Sequence, residues 1–380
     1  MSNKLSTRTG DIKKFSIFQA KDGGKSVDIL ESIADIKYYE DVLSNTISLS
    51  VTISEAGGSF NKKEGGYVGI LDGLPVRGGE PAIIIFEDHD GHKLEFKNDN
   101  KLYVNRVRNV IPGTQKDTYV IDFSSRELFA NEQSRVCKRY DGKISENVKK
   151  ILTEATSADV GIKTKKKVNV DETSLEYNFI GNDRKPFYVC TWLASKSVPS
   201  QVGDVGGAAG YLFYETYDGF NFRSIDALFQ QERKGNYIFS NVDTNPEGYK
   251  GKVITYDIDR DIDLQNNLML GTYANRTLFF DFYAMNYKVR NYSVDQSGSS
   301  ENNKGAGSKG KIVTAGKDDL DSVADEFRLP ISRLMNKVLD VGTLPPGKDI
   351  DAQLKAWKDK PDKATYDATK TMVQSIMRYN

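Results

Sequence analysis

The stretch that most constrains this fold is Ile47-Ser-Leu-Ser-Val-Thr-Ile-Ser54, in which apolar and hydroxyl side chains alternate without a break. A period of two marks a half-buried strand and fits no amphipathic helix, whose apolar residues recur every three or four positions. Ile47, Leu49, Val51 and Ile53 are expected to face a core, and Ser48, Ser50, Thr52 and Ser54 to face away from it. Such a strand cannot seal its apolar face alone, so neighbouring strands and a second layer must be found in the same chain. Strand patterns recur at Tyr67–Leu71, Ala82–Phe86, Lys93–Phe96, Leu102–Val110 and Thr118–Phe123. Gly78-Gly79, Asp90-Gly91 and Pro112-Gly113 supply turns between them. Short strands punctuated this way predict a sandwich or barrel over residues 1–130.

Residues 131–210 change character. Ile144, Val148, Ile151 and Leu152 fall on one helical face, with Ser145 as the expected N-cap. A lysine run, Lys163, Lys165, Lys166 and Lys167, reads as a solvated loop before a strand at Val168–Val170, with docking onto an acidic partner as the alternative. Leu175–Ile180 reads as a strand, and Pro186 sits where the first turn of a helix tolerates a missing N–H. This segment is expected to be a small α/β unit, closed by a glycine-rich hinge at Gly203–Gly210.

Aromatic strands then flank a turn, Tyr211–Thr216, Asp218-Gly219, Phe220–Ser224, which is a strong hairpin signal. Residues 211–250 are read as the start of a second β-domain, and 251–317 as an inserted β domain with strands at Lys252–Ile258, Leu278–Tyr283 and Tyr287–Val294. Asp295–Lys317 is a Gly/Ser/Asn/Lys linker. Residues 318–380 are expected to be helical, one helix burying Ile331, Leu334, Met335 and Val338 and another carrying Met372, Val373, Ile376 and Met377.

The chemistry-bearing patterns are weak. Gly305-Ala-Gly-Ser-Lys-Gly310 matches a nucleotide-binding spacing, but it lies inside the linker with no helix directly after it, and Ile312 stands where a magnesium-binding hydroxyl is needed. His89 and His92 are the chain's two histidines, and they lack the partners that a zinc or calcium site requires. That scarcity also argues against a Ser-His-Asp or Cys-His nucleophile. The acids at Asp257, Asp259, Asp261 and Asp263 read as a defended strand edge before they read as a catalytic pair. The 53 basic and 53 acidic residues cancel, so no overall field draws the chain to nucleic acid or membrane. Two distant cysteines make no disulfide framework, and no window has the ~18 apolar residues of a membrane-spanning segment. No cofactor, metal or catalytic residue is expected. Short hydroxyl side chains at Ser48, Ser50, Thr52 and Ser54 would suit either a solvated sheet face or the lining of a wide channel, since they would neither narrow a lumen nor grip a polyanion.

Extended segments of the chain resemble the central baseplate hub subunit of T4-like contractile-tailed phages, in the branch that infects cyanobacteria. The resemblance is carried by Ile29–Ser54, Leu102-Tyr-Val-Asn-Arg-Val107, Phe123-Ser-Ser-Arg-Glu-Leu128, Tyr177-Asn-Phe-Ile-Gly181, Lys185-Pro186-Phe187, Trp192-Leu193-Ala194 and Tyr211–Leu228. It implies an α+β fold: tail-tube-like antiparallel β-barrel domains, an intervening small α/β domain and C-terminal helices. It implies a homotrimer acting as a pseudo-sixfold symmetry adaptor, with tail-tube or tube-initiator proteins above and the central spike below. Baseplate wedge proteins would surround it and DNA would pass without sequence-specific binding. The setting implied is the virion baseplate, assembled in the host cytoplasm. On this reading Ser48, Ser50, Thr52 and Ser54 line the channel, whose surface is expected to be neutral to acidic. His89, Asp90, Tyr211, Phe213, Phe220 and Phe222 make contacts between subunits or rings. The family's second barrel gains further strands after the final helix, so this barrel is expected to be completed beyond Asn380 or by another polypeptide. A carbohydrate-binding tail protein and the spike base of a contractile secretion system are the alternative functions.

Overall fold

The alternating stretch folds as a strand, Ser48–Glu55, that buries Leu49, Val51 and Ile53 and leaves Ser48, Ser50, Thr52 and Ser54 half-buried on the opposite side. The structure, a computed structural model, describes residues 11–19, 25–56, 60–61, 67–87, 91–113, 115–174, 176–200, 210–229, 231–232, 235–239, 249, 251–253, 255–257, 263–271, 273–281, 285–293 and 330–338. Contacts divide the chain into two units. The first comprises Met1–Ser134, Ile162–Val168 and Tyr214–Asn221, and the second Arg135–Gly161, Asn169–Phe213 and Phe222–Asn380.

In the first unit, β1 (Asp11–Phe18), β2 (Ser26–Asp28), β3 (Ile33–Tyr39), β4 (Ser48–Glu55), β5 (Phe60–Asn61) and β6 (Tyr67–Val68) precede the short helix α1 (Ile70–Gly73). Then come β7 (Pro81–Glu87), β8 (Lys93–Phe96), β9 (Leu102–Ile111), β10 (Asp117–Ser125) and α2 (Arg126–Gln133). The large sheet runs β2-β1-β7-β9-β10-β4-β3, antiparallel throughout, and β8 pairs with β7 off that path. Its apolar side is one cluster including Phe15, Ile17, Leu49, Val51, Ile84, Phe96, Val104, Ile121 and Phe123. Burying that many large side chains at roughly 1.5–3 kcal/mol each is what drives this unit to fold. The expected strand at Tyr67–Leu71 stops at Val68, because the buried Glu55 carboxylate accepts the Ile70 N–H (3.0 and 2.9 Å) and starts α1 there.

Further along the chain are β11 (Arg139–Tyr140), α3 (Ile144–Thr153), β12 (Lys167–Val170), β13 (Phe179–Ile180), α4 (Pro186–Ala194), β14 (Tyr211–Thr216), β15 (Gly219–Ser224) and α5 (Ile225–Phe229). They are followed by β16 (Tyr237–Phe239), β17 (Gly251–Val253), α6 (Leu264–Leu270), β18 (Ala274–Asp281), β19 (Asn286–Ser293) and β20 (Arg333–Val338). The expected stripe of α3 is buried and packs against α4. Lys143 rather than Ser145 is its N-cap; Ser145 lies inside the first turn, where its N–H donates to Thr173 Oγ1 at 3.1 Å. Tyr140 stacks on Phe179 (centroids 5.3 Å apart), and Trp192 meets Phe179 edge-on at 5.6 Å. The strand expected from Leu175 is reduced to Phe179–Ile180, paired with β11. The turn of the aromatic hairpin is Tyr217-Asp218, with Gly219 already in β15.

Near the C-terminus the expected helix over Ile331, Leu334, Met335 and Val338 is instead strand β20, paired in parallel with β18. The helical spacing there loses to two facts. Pro330 disfavours a helix running through it, at a cost of about 3 kcal/mol, and β18 offers Arg333–Val338 a full six-residue register. The linker, the glycine motif at 305–310 and the stripe at 372–377 lie outside the described residues. The fold is α+β, mostly antiparallel β with a few helices, and the pairs β16–β17 and β18–β20 are parallel. Among the described residues no helix is long and apolar enough to cross a membrane.

Candidate functional site

The polar side of the first sheet is assembled from rows of residues facing one another across strands. Register places Lys37, Ser50, Asp122 and Arg106 in one row, and Asp35, Thr52, Val120 and Arg108 in the next. Tyr39, Ser48, Ser124 and Tyr103 form a third, and Ser54 faces Thr118. Sequence reading placed the four hydroxyl residues of β4 on one face; the structure adds that Asp122 stands at the centre of it.

Asp122 gathers the bonds of this face. Ser50 Oγ donates to its Oδ1 at 2.6 Å. Arg106 donates from Nε (3.0 Å) and Nη2 (2.7 Å) to Oδ2, while Arg108 donates from Nε (2.9 Å) to Oδ2 and from Nη2 (3.3 Å) to Oδ1. Burial alone would raise the carboxyl; the bonds from Arg108, Ser50 and Arg106 outweigh it and hold the group down to about 2. The same bonds raise the Arg108 guanidinium. Asp35 and Asp122 against Lys37, Arg106 and Arg108 leave one net positive charge on this patch.

Both arginines owe their placement to an irregularity in β9. Leu102 and Val104 point into the core, and strict alternation would send Arg106 and Arg108 after them. Between the pairs Phe123–Val104 and Asp122–Arg106 the register shifts by one, with Asn105 as the extra residue. That β-bulge moves both guanidiniums to the polar side and turns Val107 back toward the core. Nothing in the local sequence announces it.

A second charged cluster in the first unit is sealed. Lys166 Nζ donates to Glu215 Oε1 at 2.6 Å and lies 3.4 Å from Glu127 Oε2. Glu215 Oε2 accepts from Ser125 Oγ (2.8 Å) and from the Ile47 N–H (3.2 Å), and Thr164 Oγ1 donates to Glu127 Oε1 at 2.8 Å. The Lys166, Glu127 and Glu215 side chains are 3%, 1% and 0% exposed, which leaves no path for a substrate to their acid and base groups. Burial pushes the Glu215 carboxyl up, and Lys166 and Ser125 pull it partly back. Lys166 therefore departs from the expected solvated run. Ile162, Thr164 and Lys166 point inward, while Lys163, Lys165 and Lys167 are exposed; this alternation was present in the sequence, masked by the uniform charge.

The remaining expected site residues separate. Tyr211, Phe213, Phe220 and Phe222 are buried in the chain's own fold, so they have no surface to offer a neighbouring subunit. Tyr211 packs 4.8 Å from Phe222, and Phe213 packs 5.5 Å from Phe187. An aromatic strand pattern signals burial as readily as contact, and here burial wins. His89 and Asp90 lie outside the described residues, as do Asp259 and Asp261. Asp263 caps α6, accepting the Asn266 N–H at 2.9 Å. Among the described residues no three His, Cys, Asp or Glu side chains group as metal ligands.

No family model matches this chain, and no curated protein matches it. Among solved structures it is similar to the tail protein from Neisseria meningitidis MC58, at 11% identity over 92% of this chain and 76% of that one, with a TM-score of 0.40. The 43 kDa tail protein of prophage MuSo2 from Shewanella oneidensis aligns at 10% identity over 96% of this chain and 77% of that one, TM-score 0.40. Prophage tail protein gp18 from Listeria monocytogenes EGD-e aligns at 8% identity over 90% and 77%, TM-score 0.41.

Proposed function

We propose that this chain is a structural subunit of a contractile phage-type tail and, within it, the central baseplate hub. In this reading it is a homotrimer that joins the tail tube to the central spike, is held by surrounding wedge proteins and lines part of the DNA path. It works in the virion baseplate after assembly in the host cytoplasm. The observation that carries the reading is the two-sided sheet of the first unit: a closed apolar core beneath β4 and β10, and above it a face of short hydroxyls with Asp122 at its centre. Such a face suits the wall of a conduit. Ser48, Ser50, Thr52 and Ser54 take little room, and the guanidiniums of Arg106 and Arg108 are already bonded to Asp122. Tight, salt-dependent holding of a duplex needs several unpaired cations to replace its counterions; one net charge over this patch falls well short.

The role is non-catalytic. The cluster richest in acid and base groups, Lys166 with Glu127 and Glu215, is closed to solvent and joins distant parts of the chain. The extended segments that resemble the hub family give the reading its oligomeric form.

Light scattering on the purified chain tests it. The expected mass is three times that of the 42.5 kDa chain, and electron microscopy of the trimer is expected to show a ring whose lumen admits a duplex of roughly 20 Å, judged against groove dimensions. A stable monomer across micromolar concentrations would remove the hub assignment. Tight DNA affinity that falls steeply with salt would remove the conduit role.

A further inference from the structure

Strands β18, β19 and β20 form a sheet whose two sides differ in charge. Register places Asn275 beside Arg333, Thr277 between Arg290 and Met335, and Phe279 between Lys288 and Lys337, so these positions share one side. Along the described rows of that side, Asp281 is the acidic position, against cations at Lys288, Arg290, Arg333 and Lys337. The opposite side carries Arg276, which donates to Asn291 Oδ1 at 2.9 Å. Asn275, Thr277 and Phe279 are buried, and Lys288, Arg333 and Lys337 are half-buried beside them. Arg333 Nη1 donates to the Leu270 carbonyl at 3.0 Å, which holds its guanidinium in place. Among the described residues no carboxylate comes within ion-pair distance of Lys288, Arg333 or Lys337. Lys196, whose Nζ lies 5.9 Å from the Trp192 ring centroid, adds a further positive charge. Burial first, then Arg333 and Lys196, push the Lys337 ammonium below its ordinary value.

We propose that this side of the sheet binds a phosphate group, carried either as the free ion or as a monoester on a phosphorylated side chain. Like charges held together in a half-buried place repel one another more strongly than in water, and a cluster of them without a counter-charge is the footprint of an anion site. A phosphate monoester near neutral pH carries a charge of about −1.5 to −2 and three acceptor oxygens, whereas a carboxylate carries one charge. Lys288 and Lys337 flank Phe279 with compact ammonium charges, and Arg333 adds planar donors suited to phosphate oxygens. Nucleic acid fits less well. Its phosphodiesters carry one charge each, and Trp192, with Lys196 over its ring and Tyr177 and Phe179 against it, is not free to stack on bases. The site does not depend on the tail-subunit role.

Calorimetric titration of the full chain with inorganic phosphate, at an ionic strength held constant with chloride, tests the site. Saturable binding with a dissociation constant on the order of a millimolar or tighter is expected. Lys337→Gln is expected to weaken it about tenfold or more, and Arg276→Gln, on the opposite side of the same sheet, to leave it unchanged. Absence of saturable binding, or an equal loss in both variants, would overturn the proposal. Phosphoserine binding more tightly than the inorganic ion would assign the group to a phosphorylated side chain, and equal or weaker binding to the free ion. Acetate binding as well as phosphate would overturn the proposal. Thermal unfolding guards against a misfolded variant. Without phosphate, Lys337→Gln is expected to melt at or above the parent's temperature, because a repelling charge is gone; a lower temperature would mean that the cation was already paired and would overturn the proposal. Added phosphate is expected to raise the melting temperature of the parent and not of Lys337→Gln, and equal stabilisation of both would overturn it.

Discussion

Asp122 and Glu215 are both carboxylates bonded to cations, and burial raises both, yet their surroundings leave them shifted in opposite directions. Around Asp122, two guanidiniums and a hydroxyl outweigh desolvation, and the group is held down to about 2 from an ordinary 3.8. A depressed carboxyl adds stability that is present above the unfolded value and lost as pH falls from about 4 toward 2. Asp122→Asn is expected to cost about 1.5–3 kcal/mol at neutral pH, the usual range for hydrogen bonds to charged groups. Its urea midpoint is expected to be flatter than the parent's between pH 4 and 2. An equally steep acid limb in both proteins would show that Asp122 is not the source. Glu215 is raised, so its share of stability has the reverse sign: present in acid and diminished as pH rises through its folded value.

The bulge in β9 decides the character of the first sheet at the level of elements. Deleting Asn105 removes the extra residue, and regular alternation then keeps Arg106 opposite Asp122 and Arg108 opposite Val120 on the polar side, with Val107 still toward the core. The deletion is therefore expected to keep the cooperative unfolding transition of this unit, followed by circular dichroism, with at most a lowered midpoint from the loss of the bulge's local twist. Loss of the transition would mean that β9 slips by one residue and carries both arginines into the core. The hairpin turn depends on Gly219, whose φ is +129° and where an added Cβ would stand 2.1 Å from the Lys167 carbonyl oxygen. Gly219→Ala is expected to destabilise by about 3 kcal/mol or more, measured by thermal unfolding, because strain and a backbone clash act together.

Over the whole molecule, the sealed cluster gathers residues that are remote in the chain. Lys166 meets Glu215 across 49 positions, and Glu215 accepts from Ser125 and from the Ile47 N–H across 90 and 168. All of these belong to the first unit, to which Ile162–Val168 and Tyr214–Asn221 are added by folding alone. Tyr217 strengthens the same attachment: its ring meets Phe96 edge-on at 5.5 Å, and its N–H donates to Glu40 Oε1 at 2.7 Å. Lys166→Met strands two buried carboxylates and is expected to cost about 3–5 kcal/mol. Replacing all three charges, Lys166→Met with Glu127→Leu and Glu215→Leu, is expected to restore most of that loss, since an apolar trio has no desolvation penalty. If the triple variant is as unstable as Lys166→Met, the cluster contributes attraction that the penalty does not cancel.

The sequence by itself determined the elements whose pattern is local. Period two at 47–54, the stripe of α3, Pro186 at the start of α4 and the aromatic hairpin all form close to where their spacing predicts, because each depends on neighbours within a few residues. The tertiary structure decided what those faces meet. Asp122 became the centre of the polar face through strands β4 and β9, Lys166 left a solvated run for a buried partner, and Tyr211, Phe213, Phe220 and Phe222 became core. β20 became a strand because β18 was there to pair with it. Burial, cross-strand pairing and the one-residue slip at Asn105 are properties of contacts distant in sequence, and a side chain's own spacing carries no record of them.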